Sequence, residues 1–203
     1  EFRRVLFRSL LWVGWFGFNG GSALAANSRA VMAITATHLA ACAGALTWGA
    51  IEWATRRKPS VLGMISGAVA GLGTITPASG FVAPWHGVII GIIAGLVCFW
   101  ACTWLKHRFR YDDSLDVFGV HGVGAAVGGI LTVIFAAPAL GGLGYPEGRT
   151  MLSQMVPQVL IMGFSIGVSL VTTWIALKVA DALVGLRVDP EVEFDGLDTG
   201  EHG

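Results

Sequence analysis

The string Asp116-Val117-Phe118-Gly119-Val120-His121-Gly122 holds the residue with most chemical promise. His121 lies in an apolar run with no carboxylate within four residues, and an ionisable ring there must face a partner, a pore or a cofactor rather than lipid. A hydrogen-bonded histidine in a packed interior is the other reading. His38 occupies a second apolar run, where it could simply bond a neighbouring backbone carbonyl. As a pair they would suit a membrane haem, yet counting along the runs puts His38 nearer one face of a bilayer and His121 nearer the other. Asp113 and Asp116 stand just before and within the first turn of the run that carries His121. Asp113 fits an N-cap, and both carboxylates complement the positive end of a helix dipole; concentrating cations at a mouth is compatible with that role. Phe18 and Ser22, four apart, share a helix face, so an aromatic ring and a hydroxyl could line one path. Core or lipid contact is the plainer account of that ring. Cys42, Cys98 and Cys102 sit in apolar runs and read as small packing residues rather than as disulfide or metal ligands.

The elements that must position these groups follow from composition. The chain has 203 residues, 54% of them hydrophobic, 13% charged, with 29 glycines and 13 basic residues against 13 acidic. Soluble domains carry about 25% charged residues and about 7% glycine. A compact water-facing chain of this length needs more polar residues than these, so both a soluble domain and a disordered chain are excluded in favour of a polytopic membrane protein. No basic stripe with interleaved aromatics points to nucleic acid.

Apolar segments run over about 10–25, 30–54, 61–76, 87–105, 117–140 and 151–184, most of them near or above the roughly 20 residues a crossing helix needs. Six spans are therefore expected. Breakers mark the joints: Pro59, the stretch Thr76-Pro77-Ala78-Ser79-Gly80, Pro84, and Gly141 to Pro146. Arg56, Arg57 and Lys58, then Lys106, Arg108 and Arg110, then Lys178 and Arg187 fall on one side, against Arg29 and Arg149 on the other. The crowded side is expected to be cytoplasmic. Glycines recur four apart at Gly17 and Gly21, at Gly63, Gly67 and Gly71, at Gly87, Gly91 and Gly95, at Gly124 and Gly128, and at Gly163 and Gly167. Such ridges let helix backbones approach closely in lipid. Glu52 with Arg56, and Lys178 with Asp181, read as paired or snorkelling groups. His86 reads as an outer-loop residue and His107 as one of the cytoplasmic basic cluster.

Three regions result: residues 1–9, a membrane domain over 10–186, and an acidic cytoplasmic tail over 187–203. Residues 3–9 are what the end of a common sequencing-library adapter encodes, so a non-native leader joined to a truncated reading frame is expected at 1–9; a short basic amphipathic leader is the other reading.

Several strings in this chain resemble one family closely. Trp15-Phe16-Gly17-Phe18-Asn19 with Ser22 and Asn27, Gly49 to Trp53 less closely, Ser66-Gly67-Ala68, Thr76-Pro77-Ala78, Asp116 to Gly122, Val184 to Val188 and Gly196-Leu197-Asp198 are similar to ammonium transporters of the bacterial channel type. That resemblance implies an eleven-helix fold of two five-helix inverted repeats plus a last long helix, assembled as a homotrimer. The six spans here would be the second repeat and the closing helix, with the first five absent. It implies that Phe18 is one ring of a stacked gate, that Ser22 meets ammonium in the outer vestibule, that His121 is one of two facing pore histidines, and that Val117 lines the same path. Asp113 and Asp116 would stand at the cytoplasmic mouth. It further implies a place in the cytoplasmic membrane, no cofactor, no metal and no enzymatic activity, and a tail that couples subunits and helps dock a P-II signalling protein. Alternative readings are a membrane sensor that signals through its tail and a membrane haem protein.

Overall fold

The computed structural model describes residues 2–202, with the side chains of 2–4, 199, 201 and 202 outside the description. The described residues contain helices and no strand. They run α1 (Phe2–Gly21), α2 (Ser28–Arg56), α3 (Val61–Ile75), α4 (His86–Phe109), α5 (Phe118–Phe135), α6 (Met151–Val184), α7 (Pro190–Asp195) and α8 (Leu197–His202). Two of them contain π-helical stretches: Ala101–Leu105 in α4 and Phe118–Val123 at the start of α5. Four, namely α2, α4, α5 and α6, are long and apolar enough to cross a membrane, while α3 is apolar but has 15 residues.

Boundaries differ from the sequence expectation where local chemistry intervenes. No breaker separates residues 2–9 from the apolar run, so α1 is continuous through them. The fifth helix ends at Phe135 rather than near residue 140, because the fixed ring of Pro138 forces a new 3-10 turn over Pro138–Leu140. Helix α6 contains Pro157, which cannot bond the Ser153 carbonyl one turn back; the Arg149 guanidinium donates to that carbonyl at 2.9 Å instead.

The chain forms two compact units, Glu1–Val159 and Leu160–Gly203. In the first, α2 is the central element and its ends are chemically closed. Asn27 caps its start by accepting from the Ala30 amide at 3.1 Å, and Arg57, at φ +63°, closes its end with its backbone N–H donating to the Trp53 carbonyl. Glu52, 3% exposed, pairs with Arg56 at 3.6 Å as expected and also accepts from the Ser60 amide at 2.7 Å and the Ser60 hydroxyl at 2.9 Å. Ser60 in turn caps α3 through the Gly63 amide. One buried carboxylate thus ties the end of α2 to the start of α3, and its three bonds offset the cost of burying the charge.

Close helix approach explains the rest of the core. A Cβ on Gly67 would stand 2.5 Å from the Gly44 carbonyl oxygen, and one on Gly71, Gly87 or Gly91 would collide with backbone of α2. The middle ridges are therefore contact surfaces, as expected. A Cβ on Gly17, Gly21, Gly163 or Gly167 would meet no atom within 4 Å. Buried Ala40, Leu72, Ile75 and Ile90 fill the interior. Asn19, 4% exposed, fastens α1 to α2 by donating to the Thr37 hydroxyl at 2.9 Å.

In the second unit, α6 continues to Val184 and stops at Gly185, whose φ of +78° suits glycine and whose amide bonds the Asp181 carbonyl. No residue of α6 is buried. Lys178 and Asp181 form no ion pair among the described residues, which corrects the paired reading; a basic residue three before an acidic one is the weaker helical orientation. The acidic tail folds as α7 and α8, with Arg187 and Glu193 3.7 Å apart.

Candidate functional site

The candidate site is an apolar path along one flank of α1. His121 projects from the π-helical start of α5 and borders a cavity of about 370 Å³. Val117, Val120 and Leu115 line it from the α5 side, Ser66 and Val69 from α3, and Phe7, Arg8 and Leu11 from α1. The Arg8 guanidinium donates to the Ser66 hydroxyl and, at 3.3 Å, to the Leu115 carbonyl. Further along α1 the ring of Trp15 lies nearly parallel to the imidazole, with centroids 6.4 Å apart and 15° between planes. Trp15 is pinned there by its indole N–H, which donates to the Thr76 hydroxyl at 2.7 Å. Phe18 follows edge-on to Trp15 at 6.1 Å, and a second apolar cavity of about 270 Å³ is lined by Leu11, Gly14, Trp15 and Phe18. Ser22 completes the series; its hydroxyl donates to the Phe18 carbonyl at 2.7 Å, which leaves its oxygen lone pairs able to accept from a ligand.

Local sequence accounts for these positions. Trp15 and Phe18 stand three apart on α1, and Ser22, in the turn just past its end, follows four after Phe18. His121 and Val117 are four apart on α5 and border the same cavity. Asp113 fixes where α5 begins: one carboxylate oxygen accepts from the Val117 amide at 2.8 Å and the other from the Phe118 amide at 2.9 Å. That is the expected capping, made from the turn ahead of the helix. Asp116 has φ +58°, a left-handed conformation that aspartate tolerates better than most residues, and its carboxylate meets Lys106 Nζ at 2.7 Å. Both carboxylates are thus engaged by the protein, and neither borders the His121 cavity.

The other histidines separate from this path. His38 packs against Trp12 and Phe16, with centroids 5.5 and 5.7 Å away, and has the Cys42 sulfur 3.8 Å from Nε2. Its ring partners differ from that of His121, which stacks on Trp15. His86 corrects the outer-loop reading: it is fully buried at the first position of α4, between Trp85 and Phe135, with Nδ1 3.2 Å from the Ala83 carbonyl. The three cysteines are free thiols, Cys98 and Cys102 buried. Among the described residues no group of three or more His, Cys, Asp or Glu side chains is placed to hold a metal ion.

Trp15, Thr76 and Ser66 belong to the site although sequence reading assigned them no role. The signal for Trp15 was its spacing of three from Phe18. Nothing local announced that Thr76, which terminates α3, would anchor its indole.

Comparison with known proteins identifies the family. The model of the Ammonium Transporter Family matches residues 5–203. An ammonium transporter of Bacillus subtilis (strain 168) is 43% identical over 200 residues, covering 96% of this chain and 48% of that protein. Among solved structures, Mep2 of Saccharomyces cerevisiae superposes with a TM-score of 0.79 at 37% identity over 92% of this chain and 44% of its own. A structure described as a sensor Amt protein gives a TM-score of 0.87 at 30% identity over 98% of this chain and 48% of its own. The chain spans about half the length of the relatives it matches. With a family model matching residues 5–203 and a relative 43% identical over 200 residues that cover 96% of this chain, the chain belongs to the ammonium transporter family.

Proposed function

We propose that this chain supplies the second half of a trimeric ammonium transporter of the cytoplasmic membrane, in which six helices form one inverted repeat plus the closing helix. The observation that carries the reading is His121 set beside an apolar cavity of about 370 Å³ and stacked on Trp15, with Phe18 and Ser22 continuing the same flank.

The chemistry of the path runs from its polar end. The Ser22 oxygen accepts an N–H of ammonium, and the faces of nearby aromatic rings attract the cation. Past Phe18 the lining turns apolar, and moving an intact ion through it costs on the order of tens of kcal/mol in the unrelaxed limit. Ammonium avoids that cost by releasing a proton, so ammonia crosses as the neutral species. His121, with a second imidazole from the other half, relays the proton. Val117 lines the same cavity as His121. Potassium, of similar size, has no proton to give up, so it is excluded chemically. The tail over 187–203 couples subunits and offers a surface for a P-II protein.

The test joins this chain to the first half of the Bacillus subtilis relative and measures ammonium-dependent current and uptake in liposomes. His121→Ala is expected to remove most of the uptake or its discrimination against potassium. Parent-like rate and selectivity would overturn the role given to His121.

A further inference from the structure

Two π-helical stretches face each other at the end of the molecule that holds Lys106. A π-helical turn inserts one extra residue and rotates the downstream part of its helix by roughly 100° relative to a regular one, and such turns recur where a side chain must be aimed. Here His121 lies inside one of them, Phe118–Val123, and the other, Ala101–Leu105, packs directly upon it. A Cβ on Gly119 would lie 2.5 Å from the Cys102 sulfur and 3.1 Å from the Cys102 amide nitrogen. The Cys98 thiol reaches the Val120 carbonyl at 3.9 Å, and the Thr103 hydroxyl bonds the Phe99 carbonyl at 2.7 Å. Sulfur and hydroxyl groups thereby partner carbonyls at the rims of both distorted stretches.

One ionic contact joins the two helices where they open. Lys106 directly follows the π-helical stretch of α4, and Asp116 stands two residues before the start of α5. Their contact of 2.7 Å is half-buried, with 27% and 29% of the side chains exposed. Asp116 is also the residue whose left-handed backbone turns the chain into α5, and its carbonyl accepts the Val120 amide at 2.9 Å. Moving Asp116 therefore moves the first turn of the helix that carries His121.

We infer that the Lys106–Asp116 pair is a positioning clasp: it holds the π-helical entrance of α5 in register against α4 and so aims the His121 ring into the cavity. Asp116 acts through backbone placement, and collecting cations at the mouth is no part of its work. The functional consequence rests on the transport reading above; the structural claim stands without it.

The clasp is tested on the 203-residue chain in lipid nanodiscs. Hydrogen exchange of the Val117–Val123 amides and the rate of diethyl pyrocarbonate modification at His121 are both resolved by mass spectrometry. Lys106→Met and Asp116→Asn are compared with Lys106→Arg, because asparagine tolerates the left-handed backbone and arginine preserves the charge. The first two variants are expected to raise exchange by about tenfold, the scale of a lost charge-assisted hydrogen bond, and to change His121 reactivity by about threefold or more. His38 reactivity and exchange in α2 stay at parent values, and Lys106→Arg restores most of both readouts. Unchanged exchange and reactivity in Lys106→Met and Asp116→Asn would overturn the clasp, as would loss in Lys106→Arg equal to that in Lys106→Met. Should Lys106→Met fail to fold, Asp116→Asn decides alone. Current through the joined molecule separates the two claims. If His121→Ala conducts like the parent, the transport reading falls. If His121→Ala loses current and Lys106→Met does not, the clasp is unnecessary for transport.

Discussion

Glycines four apart occur in α3 and again in α6, and they meet opposite surroundings. Along α3, the positions Gly67 and Gly71 press on the backbone of α2 so closely that no Cβ fits. Along α6, Gly163 and Gly167 face open space, and no residue of that helix is buried. The same spacing therefore marks a capacity for close approach, and a second helix at the right height is what converts it into a constraint. Helix α1 stands between the two cases. Its Asn19 is locked into α2, whereas a Cβ on Gly17 or Gly21 would meet nothing within 4 Å and Phe18 is 60% exposed.

Substitutions can break that contrast or sharpen it. The largest effect is expected at Gly71→Val, where overpacking against the Ala40 carbonyl should cost about 3 kcal/mol or more in denaturant unfolding of the detergent-solubilised chain. Gly163→Val should stay within about 0.5 kcal/mol of the parent. Equal losses at both sites would show that α6 is packed as tightly as α3. Next comes Glu52→Leu, which removes the acceptor of both Ser60 donors and should destabilise the α2–α3 joint by about 1 kcal/mol. Lys178→Leu, on the exposed α6, serves as its counterpart, with no measurable shift in the unfolding midpoint expected. Asn19→Ala should cost about 1 kcal/mol and show first as faster amide exchange in α1, with α2 and α3 unaffected; uniform exchange across all three helices would mean that α1 is held by something else. Gly163→Ala should instead stabilise, by up to about 1 kcal/mol from helix propensity alone. Gly71→Ala should move the midpoint the other way.

Much of the local structure was legible because it depends on residues within one turn. The Asp113 cap obeys a short-range rule and was expected, whereas the Asn27 and Ser60 caps, equally local, were not read. The breaks at Pro59 and after Thr76 obey short-range rules as well. His121 stood out because an imidazole in an apolar run needs a reason. What escaped notice depends on distant partners. His86 is buried because Phe135, from the end of α5, covers it. Glu52 spans from α2 to Ser60 rather than only to Arg56. The stacking of Trp15 on His121 requires α1 and α5 to meet at one rotation, and no window of either helix specifies it.

By itself, then, the order of residues determined the membrane class, the helical segments, their local caps and the unusual status of His121. Those properties arise from transfer energies and hydrogen bonds that each segment settles alone. Only the tertiary structure decided which glycines bear contact, which rings join the path and how the two π-helical turns engage through Lys106 and Asp116. Rotation and height of one helix against another are set by every contact along their length, and a spacing pattern within a single helix does not contain them.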